Sequence, residues 1–269
     1  MLLLAEKNFN FKTFLLATLI SSLFLMTLCN PLPPPSAKAQ STMPFAPGEK
    51  LRFILMWTFI PAGEAVLEVL PMQTVNGQRA YHFRFTAQSN AFVDLIYKVR
   101  DRIDAYASAD MSHALKYIKK QREGKHHQDF QVRFDTKNLL AEYWDGKKKK
   151  ITAVPPGTFD PLGAFYFTRL ADFRTDGLIV CPVSSGEKWA QGEARIIGQE
   201  TIEIVSGTYK TYLIEPDMKH VGGIFKKEKK AKIQLWVTAD QYRIPVKIAS
   251  KVAIGSFVGE LVTMERNNS

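Results

Sequence analysis

His126 and His127 are adjacent and Asp129 follows two residues later, which are the residue types of a metal site. The segment around them alternates polar and apolar residues. In a strand, neighbouring side chains point to opposite faces, so the two His cannot readily share one ion. His127 and Asp129 do share a face, but two ligands make no site without distant help. They are read as polar residues on the wet side of a strand. His82, His113 and His220 stand alone. Ser184, with Gly186 two residues on, comes nearest to a nucleophile elbow, but Pro182 occupies the place of that motif's first Gly. There is no H-E-x-x-H and no Gly-rich phosphate loop, and Gly222-Gly223 reads as a turn. Cys181 lies in the apolar run Leu178–Val183 and is expected to be a buried, inert thiol. Local motifs therefore assign no catalytic residue, no metal ligand and no cofactor. The chain leans towards a non-catalytic role, although a site assembled from distant residues leaves no such motif.

Two other groups could bind something. Lys147, Lys148, Lys149 and Lys150 form one basic run, and Lys226, Lys227, Lys229 and Lys230, with Lys232, form another. Both follow turn signals and are placed at hairpin ends. There they either discourage edge-to-edge pairing or attract the phosphates of a membrane surface, of anionic lipids or of glycans. Nucleic acid fits poorly, because no aromatics interleave with these lysines as in a stacking platform. The first strand, Leu51–Ile60, is mostly apolar on both faces. It is either a central strand covered on both sides or one wall of an apolar cavity. In the second case Phe53, Trp57 and Phe59, with Phe165 and Tyr166 from a helix, are the candidate wall residues.

The elements that position these residues follow from pattern. The chain has 269 residues, 46% hydrophobic and 12% aromatic, with 23% charged. That composition excludes an intrinsically disordered chain. Lys7 and Lys12 precede an apolar run of Phe14–Leu28, then a Pro-rich stretch and Ala37-Lys38-Ala39. A basic start, an apolar middle and an A-x-A site describe a secretory signal peptide over residues 1–39, cleaved near Ala39. A retained N-terminal anchor is the alternative. Leu28 before Cys29 argues against lipid attachment, because small residues are needed there. Cleavage lowers the formal net charge from +10 to +8 and leaves Cys181 as the single thiol.

The remainder alternates at period 2, as in Tyr81, Phe83, Phe85 and Ala87 against His82, Arg84, Thr86 and Gln88. Such alternation belongs to antiparallel sheets with one wet face. Turns at Asn76-Gly77, Glu123-Gly124, Asp145-Gly146, Ser206-Gly207 and Ala239-Asp240-Gln241 fall at hairpin spacing. About ten to twelve strands are expected, more than a flat sheet carries, so the fold class is all-β, a curved sheet or barrel. Asp160-Pro161 is a strong helix start and predicts one short helix of about three turns, with a shorter turn at Ala91–Ile96. The organisation expected is a flexible lead over 40–47 and one antiparallel domain over 48–269.

Several short motifs in order resemble the family known as domain of unknown function 3108. They are Pro44–Leu51, Trp57, Pro61–Ala65, Ile96–Arg102, Asp160-Pro161-Leu162, Gly207-Thr208-Tyr209, Leu235–Asp240, Arg243–Val246 and Gly255–Leu261. The resemblance implies an exported, strand-rich protein of Gram-negative bacteria and supplies no catalytic residues. The two Lys-rich segments depart from it. Together these readings give a periplasmic protein that binds an amphipathic envelope component, a lipid or glycolipid, in an apolar concavity, with lysines meeting anionic groups. A scaffold that docks an envelope protein through strand edges is the alternative, and a hydrolase is the least supported.

Overall fold

The computed structural model describes residues 43–173, 177–217, 232–251 and 256–266. The expected signal peptide with its cleavage site, His220, Gly222-Gly223 and the run Lys226, Lys227, Lys229 and Lys230 lie outside the described residues. The period-2 segments form fourteen strands: β1 (Lys50–Trp57), β2 (Ile60–Val75), β3 (Gln78–Ser89), β4 (Arg100–Ser108), β5 (Ala114–Glu123), β6 (His126–Asp135), β7 (Leu140–Trp144), β8 (Lys149–Ala153), β9 (Leu178–Ser184), β10 (Trp189–Ile204), β11 (Gly207–Pro216), β12 (Lys232–Thr238), β13 (Pro245–Lys251) and β14 (Ser256–Glu265). Two short helices, α1 (Ala91–Asp94) and α2 (Pro161–Thr168), interrupt them. The count exceeds the expected ten to twelve. One reason is that β8 begins inside the Lys-rich run, so Lys147 and Lys148 form the turn while Lys149 and Lys150 open a strand.

All fourteen strands form one antiparallel sheet in the order β8-β7-β6-β5-β4-β3-β2-β1-β14-β13-β12-β11-β10-β9. Every neighbour is a chain neighbour except β1 and β14, which pair from Lys50↔Glu265 to Trp57↔Phe257. The sheet is a meander curled until its first and last strands meet, and it stays open between β8 and β9. The seam is bridged in other ways. The segment before α2 lies along β9, with Phe159 N–H donating to Pro182 O at 2.9 Å and Ser184 N–H donating to Phe159 O at 2.8 Å. Across the same gap Lys148 Nζ meets Glu187 Oε1 at 3.0 Å, and the Thr152 hydroxyl donates to Glu187 O at 3.1 Å.

The inner face carries the core. Leu51, Phe53 and Leu55 of β1, Phe83 and Phe85 of β3, Ile103 and Ala105 of β4, and Val132 of β6 are all buried, each on the alternate positions of its strand. The helix α2 packs inside the curl, against β3, β4 and β9. It starts because Asp160 accepts from the N–H groups of Leu162 (3.0 Å) and Gly163 (2.9 Å), with Pro161 at the first helical position. It runs for two turns rather than the expected three. Arg169 then ends it by turning inward to a two-oxygen ion pair with Glu49, at 2.6 and 3.0 Å, fully buried. The lead is not loose at its described end: Phe45 is 1% exposed, edge-on to Tyr81, Phe83 and Tyr166, because its ring fills the space between α2 and β3.

In such a meander, connections from odd to even strands gather at one end, which carries α1, and the others at the opposite end, from which the chain enters α2. These are the α1 end and the α2 end.

Candidate functional site

The side of α2 that bears Tyr166 stacks on Phe83, with ring centroids 3.8 Å apart. The other side, with Pro161, Ala164, Phe165 and Thr168, faces β9 to β13 across a cavity of about 110 Å³. Its far wall is apolar: Ile179, Cys181, Ile214, Leu235 and Ile248. Val183, Gly192, Glu193 and Ala194 of β9 and β10, with Pro216 and Ile233 at the α1 end of β11 and β12, also line it, Glu193 being its one charged residue. Burial pushes the Cys181 thiol up to about 12, so it contributes surface and no thiolate.

Of the five side chains proposed as cavity walls, this cavity takes Phe165 alone. Phe53 and Tyr166 are buried on the other side of α2 in the main core, and Trp57 is half-buried against the same cluster. Phe59 does not face inward: it is 87% exposed at the β1–β2 tip. The preceding Thr58 has φ 55°, which ends the alternation at Trp57 and turns the next side chain out.

A second inward group was not foreseen. On β5 the alternation that buries Tyr117 continues through Lys119, Gln121 and Glu123, and Asp101 of β4 faces them. Gln121 donates to Glu123 Oε1 at 2.7 Å, and the Arg122 N–H donates to Asp101 Oδ1 at 2.7 Å. Burial, then the charge of Asp101, pushes Glu123 up to about 7. Burial likewise raises Asp101 and brings Lys119 down to about 8. Asp160 is raised to about 7 by its own burial, and its Oδ2 and the Tyr117 hydroxyl are enclosed with no hydrogen-bond partner. Two carboxyl groups and an amine buried together titrate as one group and not singly. The signal was the run Tyr117-x-Lys119-x-Gln121-x-Glu123, and Ile118 on the opposite face obscured which side was inside.

The histidines fall elsewhere. His82 lies on the outer face, its Nε2 2.8 Å from Asp104 Oδ1, and Arg84 and Arg102 donate to the same carboxylate at 2.8 and 2.6 Å. These three bonds hold the Asp104 carboxyl well below the usual range against its burial. His113 borders a surface hollow of about 390 Å³ at the α2 end. Its Nδ1 is 2.8 Å from the Ser112 hydroxyl, which itself donates to Asp110 Oδ1 at 2.8 Å. The other ring nitrogen, Nε2, is enclosed with no hydrogen-bond partner, so no carboxylate orients the imidazole as in a nucleophilic triad. His126 and His127 are exposed, and Asp129 is held by Arg122. Ser184 donates to Lys188 O at 2.7 Å and accepts from Gly186 N–H, holding a turn. Among the described residues no three His, Cys, Asp or Glu side chains are placed to hold a metal ion, and no helix is long and apolar enough to cross a membrane.

Residues 52–262 match the family described as protein of unknown function (DUF3108), and the chain belongs to that family. No curated protein sequence matches it significantly. Among solved structures it is similar to a β-barrel-like protein of the DUF1849 family from Brucella abortus, with a TM-score of 0.56 and 11% identity over 83% of this chain and 99% of that one. A candidate lipoprotein from Parabacteroides distasonis matches with a TM-score of 0.35 and 10% identity, over 84% of this chain and 100% of that one. A candidate exported protein with a YmcC-like fold from Bacteroides fragilis matches at 0.34 and 9%, over 83% and 98%. The first of these shows a shared barrel-like fold.

Proposed function

We propose that the chain acts in the periplasm as a non-catalytic binding protein and takes the apolar part of an amphipathic envelope component, a lipid or glycolipid, between α2 and β9–β13. The observation that carries this reading is the cavity itself. Among the described residues α2, Phe45 and the inward strand residues pack together in the main core, whereas here apolar walls face each other across about 110 Å³. Space of this kind suits part of an acyl chain and offers a polar ligand almost no partner. Export rests on the basic start, apolar middle and A-x-A site of residues 1–39.

The edge-docking alternative is less supported. The Phe159 bridge occupies part of the β9 edge, and β8 is five residues long and opens on two lysines. Short, lysine-bearing edges are poor templates for an added strand.

Native mass spectrometry of the protein recovered from the periplasm tests the proposal. A lipid-sized adduct is expected on the unmodified chain and is expected to disappear in Ala164→Phe, whose ring fills the cavity. A ligand-free mass for the unmodified chain overturns the reading.

A further inference from the structure

Among the described residues, four of the five most exposed large apolar side chains are Phe59 (87%), Leu95 (83%), Ile96 (69%) and Phe92 (61%). All four sit at the α1 end, on two neighbouring connections. Isolated exposed apolar residues are ordinary, but a cluster at one end of a molecule marks a contact surface. The two connections are tied together. The Asn90 side chain donates to Pro61 O at 2.6 Å and accepts from Val93 N–H at 2.9 Å, and Asn90 N–H donates to Ala62 O at 2.9 Å. Arg100 clamps Asp94 at 2.6 Å, and Tyr97 turns inward against Gly124, where an added Cβ would lie 2.7 Å from its ring. The apolar side chains are thus displayed from a braced support and not from a loose loop.

The same end is basic. Gly124 N–H donates to Lys98 O at 2.8 Å, placing exposed Lys98 and Lys125 beside the apolar tips. Lys147 in the next connection round the rim and Lys150 near the start of β8 follow. None of these four ammonium groups makes an ion pair among the described residues.

We infer that the α1 end docks on an anionic phospholipid surface, with Phe59, Phe92, Leu95 and Ile96 entering the interfacial layer and the lysines meeting lipid phosphates. Apolar tips ringed by lysines match the two attractions that hold a peripheral protein to an anionic bilayer. The inference goes beyond cavity binding and does not require it.

The test is co-sedimentation of the chain as cells export it, so that N-terminal processing is the same in every variant. Vesicles containing phosphatidylglycerol are compared with pure phosphatidylcholine vesicles. Binding to the anionic vesicles is expected to weaken about tenfold in the double variant Phe59→Ser with Leu95→Ser. In Lys98→Gln with Lys125→Gln it weakens several-fold and loses part of its preference for phosphatidylglycerol. Ala164→Phe, which addresses the cavity, is expected to bind vesicles as the unmodified chain does. Brominated lipids are expected to quench a Phe59→Trp variant more than a Val205→Trp variant, whose new ring lies at the α2 end. Absence of binding to phosphatidylglycerol vesicles, undiminished binding by the serine variant, or equal quenching at the two ends overturns the inference.

Discussion

Single residues decide the acid–base character of the interior. Glu123 is 1% exposed and retains its proton up to about 7, because burial and the charge of Asp101 both oppose ionisation. In the unfolded chain a Glu ionises near ~4.3. Its contribution to stability is therefore complete below that value and is lost as pH rises towards about 7. Asp160 behaves in the same way, whereas Asp104, with its lowered carboxyl, acts in the opposite sense only at far lower pH. Glu123→Gln keeps an acceptor for Gln121 and removes the titration. Urea unfolding at about pH 5 and about pH 7 should show the unmodified chain losing stability across the interval. The variant should lose less, with a difference on the order of 1 kcal/mol. An unchanged slope refutes the assignment. Lys119 faces the same group, and its lowered value places its own effect above about pH 8.

At the level of elements, two local features hold the open seam. The α2 segment carries Phe159 to β9, and the β9–β10 turn reaches back to β7 and β8. Gly186 in that turn has φ 95°, and an added Cβ would stand 2.6 Å from Val132 Cγ2 and 3.1 Å from Tyr143 Cβ. Gly186→Ala is expected to destabilise by roughly 1–3 kcal/mol, from backbone strain and overpacking together. A thermal melt measures this, and an unchanged midpoint rejects the role assigned to the turn. Element identity was largely legible beforehand. The Asp160-Pro161 start, the Asn76-Gly77 and Asp145-Gly146 turns and the faces of β3 and β6 follow from rules that operate within a few residues. The length of α2 did not follow, because Arg169 leaves the helix for Glu49, a partner 120 positions away.

For the whole molecule, the pairing of β1 with β14 makes the sheet continuous across the ends of the chain. β14 supplies the neighbour of both β1 and β13. Deletion of residues 256–269 is expected to abolish the cooperative transition and to expose apolar surface to a hydrophobic dye, and a retained sharp transition counts against this reading. The cavity lining reaches Pro216 and Ile233, at the same end as the apolar tips and the lysines.

The sequence alone determined that the chain is antiparallel, where most hairpins turn, which residues share a face and where the helix begins. Each of these is local, set by alternation over two residues or by a cap within one turn. The tertiary structure decided what covers each face. Alternation states that Lys119 and Glu123 share a side with Tyr117, but not that this side is the inside. An apolar β1 does not reveal whether its neighbours leave space or fill it, and here they fill it. The space lies across α2, among strands more than a hundred residues away in the chain. Phe59 became a surface tip because the strand ends two residues earlier, at Trp57. Burial is a property of what packs against a residue, and that partner is usually distant in sequence.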